Sequence, residues 1–255
     1  GETNPEILAQ HAFELSKDTI STSTFGVGYG FNEHLLEAMA NRGGGNFYYI
    51  EHPADLSRIF LKEFDELVGI SARKVEIKLE LPASMEWQVL GGWSAEYKDG
   101  CLHIYLGDML SGKTQDIYIR LQVPPNGTAE QVTFTAKVFG QGKPGQVYDD
   151  QGNIIFQYAD NKSVEAAPED RQVMERFSVV ELADTAKEAL KLERRGERAA
   201  ASRIVTDNIN RNLPYLSARD SEKYHNLSRR MERGMDEADR KRSHSDEYYI
   251  KRNKE

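Results

Sequence analysis

The sequence predicts a composite fold of α/β, all-β and α parts in that order. An open parallel sheet with helices is expected over 1–70, an antiparallel β-sandwich over 71–167, and a helical hairpin or bundle over 168–255. Three observations predict it. Helical and strand patterns alternate through the first part, as in βα folds. Strict apolar–polar alternation then recurs in short runs divided by turn signals. From Pro168 onward apolar residues recur only at spacings of three and four.

In the first part, Asn4-Pro5 is a helix start, with Asn4 as cap and Pro5 in the first turn. Ile7, Leu8, Phe13 and Leu15 give that helix an apolar face to about Lys17. Thr22–Gly28, rich in β-branched residues, reads as a strand. Asn32 then caps a helix carrying Leu35, Leu36, Met39 and Ala40, and Gly43-Gly44-Gly45 ends it. Phe47–Ile50 is a second strand, broken by His52-Pro53. Asp55 is the expected cap of a third helix with Leu56, Ile59, Phe60, Phe64 and Leu67 on one face.

The middle part alternates at Val75/Ile77/Leu79/Leu81, through Cys101–Leu106, at Ile117/Ile119/Leu121/Val123 and at Val132/Phe134/Ala136. Lys98-Asp-Gly100, Pro124-Pro-Asn-Gly127 and Asp150-Gln-Gly152 read as turns between strands. In the last part, helices are expected at 171–195 and 197–212, broken at Gly196, with one further helix at 219–242. The short turn makes the first two antiparallel. Phe177, Leu190, Ile204 and Leu227 should share a core.

Composition narrows function. The 255 residues carry 33 Lys and Arg against 41 Asp and Glu, a net charge of −8, which disfavours general nucleic-acid binding. The segment from Ser217 mixes eleven basic with nine acidic residues, the pattern of a solvated helix face. The single cysteine, Cys101, excludes an internal disulfide and a Cys-based zinc site. No apolar run reaches the ~18–20 residues that a membrane helix needs and no signal sequence is visible, so a soluble, cytoplasmic protein is expected, with an exported one as the alternative.

Gly107-Asp-Met-Leu-Ser-Gly112-Lys113-Thr114 matches the phosphate-loop string G-x-x-x-x-G-K-[ST]. That chemistry needs a helix opening after the loop, so that backbone N–H groups point at the phosphates. The residues following Thr114 alternate as a strand instead. The expectation is a turn joining two antiparallel strands that binds no phosphate. Gly26-Val-Gly28-Tyr-Gly30 starts like a dinucleotide fingerprint, but Phe31 stands where its third glycine belongs. His11, His34, His52 and His103 show no metal-ligand spacing, and His103 reads as a packed, hydrogen-bonded strand residue. The triplets at Asn126, Asn161 and Asn226 fit the glycosylation pattern, which chance supplies often.

Gly1-Glu-Thr-Asn4, the run Thr22-Ser-Thr-Phe-Gly-Val-Gly-Tyr-Gly-Phe-Asn-Glu-His-Leu-Leu-Glu-Ala-Met-Ala-Asn-Arg-Gly-Gly-Gly45 and Phe47-Tyr-Tyr-Ile50 resemble the second half of a von Willebrand factor type A (VWA) domain. The similarity is to the bacterial type with an appended β-domain and C-terminal helices, represented here by Leu106–Leu110, Leu121–Pro124, Ala186–Leu190 and Gly196–Ala200. The resemblance implies a partial doubly wound, Rossmann-like sheet, and adhesion or scaffolding as its task. In the family a D-x-S-x-S motif with a separate Thr and Asp holds a metal, of the kind oxygen ligands suit. No D-x-S-x-S occurs here, and Asp55-Leu-Ser57-Arg-Ile59 lacks the last serine, so no metal or cofactor is assigned.

The expectation is therefore a non-enzymatic protein–protein interaction or scaffolding protein. One alternative is a nucleotide-binding enzyme using Gly107, Gly112, Lys113 and Thr114; another is a helical partner-docking module at 168–255. The strand near Thr22 should expose an open edge, with Phe13, Leu15 and Phe25 short of partners. Self-association or a missing N-terminal segment would cover them.

Overall fold

A computed structural model describes residues 4–127 and 130–252. The Gly1-Glu-Thr string and Thr128 of the first glycosylation triplet lie outside the described residues. The chain forms two compact units. The first comprises residues 1–89, 93–114 and 119–167; the second comprises 90–92, 115–118 and 168–255.

The first unit opens with helix α1, Pro5–Lys17, whose Asn4 carboxamide accepts from the Glu6 N–H. Its buried residues are Ala9 and Ala12, which let it lie close to the next helix, while Ile7 and Leu15 are exposed. Strand β1, Thr22–Val27, and strand β2, Gly44–Ile50, pair in parallel across helix α2, Glu33–Arg42. Asn32 caps α2 through the Leu35 N–H. Only Gly43 ends the helix; Gly44 and Gly45 are already strand. Their role is close approach: a Cβ on Gly43 or Gly45 would collide with Thr22.

A 3-10 turn at Pro53–Asp55 leads into helix α3, Leu56–Val68. Asp55 does not cap it, because the proline-set turn leaves Asp55 helical; its carboxylate instead accepts from Arg58. Of the apolar face expected on α3, only Ile59 is buried.

The antiparallel part is a five-stranded sheet in the order β5-β6-β3-β8-β9. Its members are β3 Ile70–Glu80, β5 Ser94–Lys98, β6 Cys101–Leu110, β8 Gln131–Gln141 and β9 Val147–Gln157. A separate two-stranded ribbon pairs β4, Glu86–Val89, with β7, Ile119–Gln122. Lys98-Asp-Gly100 is a turn as expected, with Asp99 at φ 51° and Gly100 at φ 78°. Asp150-Gln-Gly152 is not a turn. It lies inside β9, a sheet-edge strand that needs no buried face and so shows no apolar alternation there. A short helix α4, Asn161–Glu165, capped by Asp160, was not legible and carries the Asn161 triplet.

The second unit is a bundle of four helices rather than a hairpin plus one. They are α5 Arg171–Arg194, α6 Arg198–Asn212, α7 Ala218–Arg233 and α8 Glu237–Lys251. Gly196, at φ 85°, makes the first break. The helix expected at 219–242 is interrupted at Gly234, φ 95°, and Asp236 caps the restart through the Asp239 N–H. A Cβ at Gly234 would meet the Arg198 guanidinium at 2.6 Å, a flexible group that can give way, so glycine is needed here for conformation.

Leu182, Ala186, Leu190, Val205, Ile209, Tyr224, Leu227 and Met231 form the bundle core, with Ile204 packed against it. Phe177 stands apart and meets Tyr118 edge-on, ring centroids 6.3 Å apart. Two buried carboxylates of the bundle have hydrogen-bond donors. Glu193 accepts from Arg240 Nε at 2.6 Å and from the Met235 N–H at 3.0 Å. Burial opposes the charge on Glu193, but these donors outweigh it and hold its carboxyl below the usual range. Fully buried Glu247 accepts from Tyr224 and Lys223, yet burial still pushes its carboxyl upward. No helix of the described residues is long and apolar enough to cross a membrane.

Candidate functional site

The phosphate-loop string is divided between structures. Gly107–Leu110 completes β6, Ser111-Gly112 turns, and the Lys113 N–H closes that turn on the Leu110 carbonyl. No helix follows Thr114. The expected link between paired strands is also corrected: β6 pairs with β3 and β5, whereas β7 pairs with β4 in the separate ribbon. Gly112 and Lys113 are exposed, and the backbone needed to cradle phosphates is absent from this segment among the described residues.

The other candidates have local explanations. Gly26 lies under the Phe31 ring, which fills the space a Cβ would take. Gly28, at φ 65°, donates its N–H to the Ile50 carbonyl and ends the parallel pair. His103 is buried on β6 with Nδ1 2.5 Å from Glu76 Oε1, the packed imidazole expected. Cys101 is a free, half-buried thiol.

The first unit does present an open surface. Among the described residues β1 has one strand neighbour, β2, so its other edge carries unpaired backbone donors and acceptors. Helix α2 covers one face of this small sheet, where the Thr24 hydroxyl donates to the Leu36 carbonyl at 2.8 Å. Helix α3 covers the other. The Tyr48 hydroxyl donates to Glu63 at 2.6 Å, Asn46 Nδ2 donates to Glu63 and Glu66 at 2.9 and 2.7 Å, and Ser23 donates to Glu63. Phe25 lies between Tyr48 and Phe60. Phe25 is therefore better partnered than the sequence suggests, and so is Phe13, which meets Tyr105. Leu15 does stay exposed. Beyond Phe60 the α3 face carries Phe64 and Leu67, and Leu61 and Val68 flank it; all are exposed, Phe64 at 64% and Val68 at 74%.

A second feature is a cleft of about 630 Å³ where α1, the end of α2 and the start of β2 meet β3, β5 and β6. Gly107 and Asp108 are the only residues of the phosphate-loop string that line it. Gly44 and Gly107 approach so closely that a Cβ on Gly107 would lie 2.8 Å from the Gly44 Cα. Around the rim, hydrogen bonds from Lys98 and Tyr105 lower the Glu96 carboxyl, while burial raises that of Asp108 despite Arg73 at 3.0 Å. Nothing in the residue pattern points to this cleft, since its walls come from distant segments.

No family model matches the sequence, and no curated protein matches it. Solved structures do. A von Willebrand factor type A protein from Catenulispora acidiphila superposes with a TM-score of 0.58 at 15% identity, covering 78% of this chain and 50% of its own. The ArnB paralog VWA2 from Sulfolobus acidocaldarius gives a TM-score of 0.54 at 18% identity, covering 93% of this chain and 59% of its own. The chain thus has a VWA-like fold and spans little more than half the length of these structures.

Proposed function

We propose that this chain is a non-enzymatic interaction or scaffolding protein, part of a VWA-type protein of bacterial kind, and that its described residues work without a D-x-S-x-S metal motif. The observation that carries this reading is the open edge of β1 beside the exposed apolar face of α3. An extended segment from outside the described residues, in a second copy or another segment of protein, would pair with β1. Its side chains would cover Phe64 and Leu67 by strand addition, with backbone hydrogen bonds supplying affinity and alternate side chains the choice of partner. Such a surface needs no metal and no catalytic group.

The experiment is light scattering on the purified chain over a wide concentration range, alone and with Phe64→Glu. The expected result is a mass that rises above 28.9 kDa with concentration and falls back in the variant. A sharp 28.9 kDa species throughout would remove the basis for the reading.

A further inference from the structure

We propose that the cleft between α1 and the five-stranded sheet is a binding site for a small phosphate monoester. The inference is independent of strand addition at β1. It rests on which charges in the cleft are already committed. Lys17 is paired with Glu14 at 2.9 Å, and Lys98 with Glu96 at 2.7 Å. The acids are committed too: Glu76 to His103 at 2.5 Å, and Asp108 to Arg73 at 3.0 Å. Two lining cations, Arg42 and Lys74, have no carboxylate partner within ion-pair distance among the described residues.

Arg42 shows the clearer deficit. Its guanidinium sits 5.2 Å from the Phe13 ring centroid, and its Nε is sealed from solvent with no hydrogen-bond acceptor. A buried charged donor without an acceptor is costly and rare in folded proteins. The Nε itself is closed to a ligand, but Arg42 lines the cleft, so an anion entering there meets a cation that no carboxylate neutralises in an ion pair. The backbone around it is also held in a costly form. Of three non-glycine residues with positive φ among the described residues, Lys74 at 51° lines the cleft, whereas Thr19 at 64°, which also lines it, is explained by the left-handed end of α1. The third, Asp99, is explained by its hairpin turn. Lys74 lies where β3 slips register against β6, between Ala72 and Val75, and such bulges re-aim side chains. A strained residue held at a concavity is a marker of sites.

The ligand class follows from charge and size. Two positive charges without an ion-pair partner match the roughly −1.5 to −2 of a phosphate monoester at neutral pH better than a monoanion. A cleft of about 630 Å³ is of the size that holds small molecules, and Phe13 and Tyr105 give an organic body something to pack on. Arginine provides directed donors to the phosphate oxygens and lysine a point charge.

The test is a calorimetric and NMR titration of the whole chain with phenyl phosphate, inorganic phosphate and benzoate. Saturable binding of phenyl phosphate is expected, at least tenfold tighter than benzoate, with amide shifts around Arg42 and Lys74. Tighter binding of phenyl phosphate than of inorganic phosphate identifies an ester site rather than a bare-ion site. Arg42→Gln and Lys74→Gln should each weaken binding at least tenfold without lowering the melting temperature. If one variant fails to fold, the other carries the test. Absence of saturable binding, benzoate binding as tight as phenyl phosphate, inorganic phosphate binding at least as tight, or unchanged affinity in a folded variant would overturn the proposal.

Discussion

Phe60 of α3 lies flat on Phe25 of β1, with ring centroids 4.6 Å apart and planes 11° from parallel. This stack fixes the helix over the edge strand and leaves the next turn of its apolar face uncovered. Because Phe60 is itself half exposed, Phe60→Ala should cost about 1–2 kcal/mol, less than a fully buried phenylalanine. Chemical denaturation measures it; a loss as large as that of a core residue would mean the face is covered in solution.

Leu190 sits in the bundle core with 5% of its surface exposed. Leu190→Ala should destabilise the helical unit by ~2–5 kcal/mol, read from a helix-sensitive denaturant melt. A near-zero change would contradict its burial.

Thr19 occupies the left-handed position after α1, where the Thr19 and Ile20 N–H groups bond back to Ser16 and Leu15. Glycine is the usual residue there, and a β-branched side chain is strained. Thr19→Gly should raise the stability of the first unit by about 0.5–1 kcal/mol. A lower melting temperature would show that the hydroxyl, bonded to the Asp18 carbonyl at 2.5 Å, outweighs the strain.

Gly234 permits the α7–α8 break and leaves room for Arg198. Gly234→Ala should cost about 1–3 kcal/mol through its positive φ, with the flexible Arg198 side chain giving way. Gly152, which lies in β9 with open space around it, is the control: alanine there should be nearly neutral.

Glu193 carries the pH dependence. Its folded carboxyl is held below the ordinary value of 4.5, so its stabilisation is present at neutral pH. It is lost as the pH falls through the depressed folded value. Glu193→Gln should cost about 3 kcal/mol at neutral pH and flatten the acid limb of the stability curve. Parallel acid limbs for the two proteins would refute the assignment. Glu247 acts oppositely, because its raised carboxyl makes the charged form a liability above the ordinary range.

Much of this architecture was legible where a local rule acts alone. Asn4 and Asn32 cap helices as their chemistry requires, and Gly196 breaks the bundle where apolar spacing also lapses. Gly234 was hidden because Met235 and Ala238 continue the stripe of Tyr224, Leu227 and Met231 across the break. Asp55 misled because Pro53 imposes a tighter turn one step earlier. The open edge of β1 was foreseen from the VWA resemblance, but the re-packing of Phe13 onto Tyr105 was not. The cleft had no sequence signature at all. Arg42 and Lys74 are ordinary residues in the sequence, and only folding leaves them beside acids that already have partners.

Strand β9 lies at the outer edge of the five-stranded sheet, with every residue from Val147 to Gln157 exposed and Ile154, Ile155 and Phe156 among them. Its register with β8 is continuous, so its backbone is held by one ladder and almost no burial. Such a strand opens at little free-energy cost. Its amides should exchange with deuterium far sooner than those of β3, and a broad-specificity protease should nick the chain there first. Asp149 and Asp150 sit near the start of this edge, where their charge discourages a second chain from templating on it.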